Sequence, residues 1–186
     1  MTDKEAAILE ATLKLISQQG FHGAPTSAIA QEAGVGVGTI YRYFENKEAL
    51  IDALYEQLKS QLTAAMLVGY SADLPLRRRF RRLWVNAARY YIDHPREASF
   101  MEQYDHSPFP ESGAGVASAE YLRPLLEFIE NGVYEGVLKD LPLEIFTSLT
   151  LEVAIALARK HRAGLIVLDD ATLEQTMDAC WDAVKR

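Results

Sequence analysis

The chain has 186 residues, 49% of them apolar, and carries 26 Asp and Glu against 19 Lys and Arg, for a formal net charge of −7. That length and apolar content suffice to bury a sizeable core and argue against disorder. The acidic balance excludes a protein that coats nucleic acid through bulk positive charge, and no run of about 18 apolar residues is present to span a membrane. The start, Met-Thr-Asp-Lys-Glu-Ala-Ala, reads as neither a secretory nor a transit signal. A single cysteine, Cys180, excludes an internal disulfide framework and suits a reducing compartment, so a cytoplasmic location is expected.

In chain order, apolar residues at helical spacing predict a first helix over Lys4–Gln19, with Leu9, Leu13 and Ile16 on one stripe and Ile8, Ala11 and Leu15 on the next. So broad a face implies burial on more than one side. Gly20 ends this helix, Phe21 plugs a small core, and His22 reads as a solvated loop residue. Residues Thr26–Ala33 form a second, short helix, capped by Thr26 or Ser27 through a side-chain oxygen. Gly34 stops it, because glycine takes the left-handed conformation at no steric cost. A third helix follows over Val37–Phe44, with Ile40 and Phe44 as core and one of Tyr41 and Tyr43 a candidate for the core as well. Helix, glycine turn, helix is the helix-turn-helix pattern, whose second member enters the DNA major groove.

The run from Ala30 to Leu50, A-x-x-A-G-V-x-x-G-T-I-Y-x-Y-F-x-N-K-E-x-L, resembles the DNA-binding domain of the TetR family of bacterial transcriptional regulators. The likeness extends upstream through Ile8–Gln19 and the Gly20-Phe21 turn. It departs at Gly36, where many relatives carry a serine able to touch phosphate. The resemblance implies double-stranded DNA as partner, with Thr26, Tyr43 and Lys47 on phosphates and Val37, Thr39, Tyr41 and Arg42 at or near base edges. These residue types suit those tasks. Arg42 can pair with guanine through two hydrogen bonds, Val37 or the Thr39 methyl can pack on a thymine methyl, and Gly38 lets the backbone approach closely. Residues 1–50 nevertheless carry Lys4, Lys14, Arg42 and Lys47 against six carboxylates, which predicts weak non-specific binding.

Downstream, Asn46 caps a long helix running to about Leu67, with Leu50, Leu54, Leu58, Leu62 and Met66 spaced by four. Leu74-Pro75 opens the next, whose inward face holds Phe80, Leu83, Trp84, Ala87 and Tyr91. Arg77, Arg78, Arg79, Arg81 and Arg82 on this helix are the densest basic cluster and read as a solvated face paired with nearby acids rather than as a DNA contact. His94-Pro95 ends the helix. A short helix covers Arg96–Tyr104, a loop Asp105–Gly113, and a further helix Tyr121–Glu135, its end loosened by Gly132 and Gly136. Leu143–Arg162 reads as one helix, apolar nearly all round and so buried on two sides, the second most simply by another subunit. Leu165–Leu168 reads as a buried connector, and Asp169 or Asp170 caps a last helix over Ala171–Val184.

The expectation is an all-α protein of about nine helices: a helix-turn-helix domain over residues 1–48 and a bundle over 49–186. The last two helices would form a homodimer interface through Phe146, Leu149, Val153, Met177 and Trp181, presenting two recognition helices to a palindromic operator. The family likeness further implies a ligand-responsive regulator, a repressor released by a small apolar or aromatic effector bound among Trp84, Tyr91, Met101, Tyr104 and Phe128. The alternative is a dimeric ligand-binding or protein-interaction module whose DNA binding is vestigial. No cofactor is expected. His94, Glu97, Glu102 and His106 lack the tight spacing of a metal site, and no nucleophile elbow, phosphate loop or Cys-His pair points to an enzyme.

Overall fold

A computed structural model describes residues 2–107 and 120–186, so the second half of the expected Asp105–Gly113 loop lies outside the described residues. The fold is all-α. Its helices are α1 Asp3–Gly23, α2 Thr26–Glu32, α3 Val37–Tyr43, α4 Lys47–Met66, α5 Leu76–Asp93, α6 Pro95–Asp105, α7 Arg123–Tyr134, α8 Leu143–Leu149, α9 Leu151–Arg162 and α10 Asp170–Val184. One antiparallel bridge, Leu138 to Lys185, ties the chain end to the segment after α7.

Local chemistry sets most boundaries. At the start of α1 the Thr2 hydroxyl accepts the Glu5 amide at 3.3 Å while the Glu5 carboxylate accepts the Thr2 amide at 3.1 Å, a reciprocal capping box. Gly20, at φ 72°, kinks the end of this helix where the sequence predicted a stop. The expected cap of α2 is not formed: Pro25 is the capping residue and Thr26 already lies inside the first turn. Proline sets the extended backbone needed there without any side-chain bond. Gly34 takes φ 66° after α2, and Asn46 accepts the Ala49 amide at 2.7 Å to open α4.

The helices sort into two compact units, residues 2–59 with 96–107 and residues 60–95 with 120–186. This division differs from a cut after residue 48, and the reason is aromatic packing. In the first unit, Tyr104 of α6 stacks on Tyr55 of α4 with ring centroids 3.8 Å apart and donates to Asp52 at 2.8 Å. Tyr55 in turn donates to Asp105 at 2.7 Å, and Gln103 donates to the Ile16 carbonyl of α1 at 3.3 Å. Phe100 meets Phe21 edge-on at 6.0 Å. These contacts bind α6 to the helix-turn-helix segment.

In the second unit, the expected single helix over Leu143–Arg162 is two. Thr150 interrupts it at φ −129°, ψ −80°. Its hydroxyl bonds back to the Phe146 carbonyl at 2.6 Å, and its own carbonyl accepts the Trp84 indole N–H at 3.0 Å. A buried indole must place its N–H, and the Thr150 carbonyl receives it beside the Ala154 amide, which it accepts at 3.3 Å. Within the chain one side of α9 is covered: it packs along α5 through the small residues Ala154 and Ala158, while Leu151, Val153, Ile155 and Leu157 remain half-buried. Gly132 does not loosen α7. A Cβ there would lie 2.6 Å from Leu138 Cγ and 2.8 Å from Leu76 Cδ2, so glycine is what lets these leucines close against the helix. Leu165 and Val167 stand exposed rather than buried.

Three arginines of α5 form an antiparallel ladder with α10. Arg77 meets Asp178 at 2.6 Å, Arg81 chelates Glu174, and Arg89 meets Asp170 at 2.9 Å. Arg79 departs from the solvated-face expectation. It is buried, donates twice to the Tyr70 hydroxyl at 2.9 and 2.6 Å, and lies over the Phe128 ring.

Candidate nucleic-acid interface

Two buried residues one turn apart, Ile40 and Phe44, fix which way α3 faces. The opposite face is left to solvent: Val37 is 40% exposed, Tyr41 51% and Tyr43 38%, so neither tyrosine belongs to the core. Gly38 and Arg42 are exposed and Thr39 is half-buried. Among the described residues Arg42 makes no hydrogen bond or ion pair. A Cβ on Gly38 would meet nothing within 4 Å, so the folded chain itself does not require glycine at that position.

The flanking residues divide between free and engaged. Thr26 is half-buried in the first turn of α2. Lys47 donates to the Phe21 carbonyl at 2.7 Å, clasping the segment beyond the Gly20 kink. Burial lowers its ammonium pKa, with Glu48 acting in the opposite sense. Lys14 is spent on Glu32 at 2.6 Å, which leaves Arg42 as the cation the third helix offers outward. One contact beside this face escaped the sequence reading. The Thr2 hydroxyl donates to the Tyr43 hydroxyl at 3.1 Å, joining the start of α1 to the end of α3. The T-x-x-E spacing of Thr2 and Glu5 was the available signal for the cap, but nothing in it pointed to Tyr43.

The five residues expected around an effector are all buried, but they are shared between the two units. Met101 and Tyr104 lie on α6 in the first; Trp84, Tyr91 and Phe128 lie in the second, where Phe128 tilts against Phe80 at 6.3 Å. The polar ends of Trp84 and Tyr104 are already bonded, to Thr150 and Asp52. Of the residues expected at a subunit interface, Leu149 is 39% exposed and Val153 half-buried, whereas Phe146, Met177 and Trp181 are buried within their own chain. Cys180 is buried too, and that burial pushes its thiol up to about 11. Among the described residues no group of His, Cys, Asp and Glu is arranged to hold a metal ion.

Residues 8–54 match the family model of bacterial regulatory proteins, tetR family, and residues 75–185 match a tetracyclin repressor-like C-terminal domain. The chain belongs to the TetR family. A curated HTH-type transcriptional regulator of Haemophilus influenzae is 26% identical over 186 residues, covering 100% of this chain and 97% of its own. A TetR family transcription regulator from Marinobacter aquaeolei VT8 superposes with a TM-score of 0.88 at 28% identity, over 98% of this chain and 96% of the other. A TetR family protein from Vibrio parahaemolyticus does so with a TM-score of 0.83 at 32% identity, over 98% and 99%. The likeness therefore spans both units and not the helix-turn-helix alone. This TetR-family chain is a helix-turn-helix transcriptional regulator and not an enzyme. Among its described residues no helix is long and apolar enough to cross a membrane.

Proposed function

We propose that this regulator binds a palindromic operator as a homodimer, represses, and is released by a mainly apolar, ring-containing effector. The observation that carries the reading is the third helix: Ile40 and Phe44 hold it to the core while Val37, Tyr41 and an unpaired Arg42 stand outward. That arrangement suits direct readout, in which an arginine fork takes guanine and an aliphatic side chain takes a thymine methyl. Thr26, Tyr43 and Lys47 flank this face as phosphate contacts, and Gly38 admits the DNA backbone.

A second copy of the chain is the natural cover for Ile145 and Leu149 of α8 and Val153 of α9, apolar side chains left partly exposed. The effector reading rests on the buried aromatics of the second unit, Trp84 and Tyr91 of α5 and Phe128 of α7, whose rings would dock an apolar ligand. Selecting duplexes from a random pool tests the central claim. The expected product is an inverted repeat with half-sites one helical turn or a multiple apart. Recovery of no preferred sequence overturns it. In sedimentation, Leu149→Asp is expected to give folded monomers; a dimer that survives this change places the interface elsewhere.

A further inference from the structure

The hydrogen bonds at the start of α1 have a direction. The Glu5 backbone N–H is a fixed donor, and it spends itself on the Thr2 hydroxyl oxygen. The Thr2 hydroxyl keeps its own proton to donate, and the acceptor it meets is the Tyr43 phenol oxygen at 3.1 Å. With that oxygen accepting, the phenol's own proton points away from Thr2. Tyr43 stands at the last position of α3, on the exposed face that also carries Arg42. Bonds aligned in one sense polarise one another, so the terminal donor is the strongest of the chain.

We propose that Thr2 is a positioning residue of the DNA interface, which commits the Tyr43 hydroxyl to donate outward to a phosphate oxygen. This rests on the operator reading above, in which Tyr43 faces the DNA backbone. Glu5 completes the device, because its carboxylate holds the Thr2 amide and keeps the hydroxyl in place. An N-terminal cap and a recognition helix are thus one hydrogen-bonded unit, although 41 positions separate Thr2 from Tyr43.

The experiment measures affinity of the full chain for its selected operator, with melting as a control on folding. Tyr43→Phe is expected to weaken binding about three- to tenfold, the worth of one hydrogen bond. Thr2→Gly is expected to lose about as much, with melting nearly unchanged because glycine is tolerated at a cap position. Thr2→Ser keeps the hydroxyl and should restore affinity. The double variant should be no weaker than Tyr43→Phe alone, since both changes remove the same contact. The salt slope should be unchanged in all four, because a neutral donor releases no counterion. Full affinity in Thr2→Gly beside a weakened Tyr43→Phe overturns the proposal, as do losses that multiply in the double variant. Arg42→Ala distinguishes the two levels of the reading. If it weakens binding while the Thr2 variants do not, only the positioning role fails; if no operator is selected at all, both fail.

Discussion

The arginines of α5 and the single arginine of α3 differ in what the fold sets beside them. On α5, Arg77, Arg81 and Arg89 each find a carboxylate on α10, while Arg78 and Arg82 stand exposed with no ion pair among the described residues. On α3 a single arginine, Arg42, has no partner among the described residues. The lesson is that a count of cations does not measure the charge a helix offers, because the fold spends part of a basic run on acids it brings alongside. Asp170, Glu174 and Asp178 are structural acids that answer α5.

The largest effect is expected at Arg79, an α5 arginine that is buried and bonded to a tyrosine rather than to an acid. Arg79→Ala leaves Tyr70 without its partner and opens a gap beside Phe128, and a loss of about 2–4 kcal/mol in denaturant unfolding is expected. Operator affinity of the folded protein should not change. Arg42→Ala should do the reverse. Melting should stay put while operator binding falls by about 1–3 kcal/mol, with relaxed preference at one base pair per half-site. Equal losses on all sequences would reduce Arg42 to a phosphate contact.

Lys47 stands between these cases because its ammonium serves Phe21 as well as facing outward. Lys47→Ala is expected to cost about 1 kcal/mol of stability for the lost hydrogen bond. It should also weaken every duplex alike, with the salt slope smaller by about one. A slope that does not move would assign Lys47 wholly to the fold. The smallest effect belongs to the ladder. Arg81→Ala should cost about 0.2–1 kcal/mol, since the Arg81–Glu174 pair is half exposed, and should leave DNA binding untouched. A fall in operator affinity from Arg81→Ala would contradict the separation of the two arginine sets.

The recognition helix was legible because everything that makes it is local. Gly34 needs a positive φ, Asn46 reaches an amide three residues on, and Ile40 and Phe44 share a face by helical spacing alone. The break at Thr150 was not legible. The apolar period of a helix runs on through it, and the indole that bonds to the Thr150 carbonyl is Trp84, 66 positions away. Gly132 was misread for the same reason: its lack of a side chain answers Leu138 and Leu76, not its own helix. Met177 and Trp181 illustrate the limit of periodicity. An apolar stripe says that a face is covered without saying by what, and here the cover is the chain's own α5, where Trp181 meets Phe80 at 5.3 Å.

By itself, then, the sequence determined the all-α class, the glycine-punctuated helix-turn-helix and the outward set Val37, Tyr41 and Arg42, because capping, turn geometry and helical period act within a few residues. The tertiary structure alone decided which arginines are neutralised, where α8 gives way to α9, that α6 packs with the helix-turn-helix, and that Thr2 answers Tyr43. Each of these is a bond between groups far apart in the chain, and the partner of a charge or a buried N–H is chosen by whichever group folding brings within about 3 Å of it.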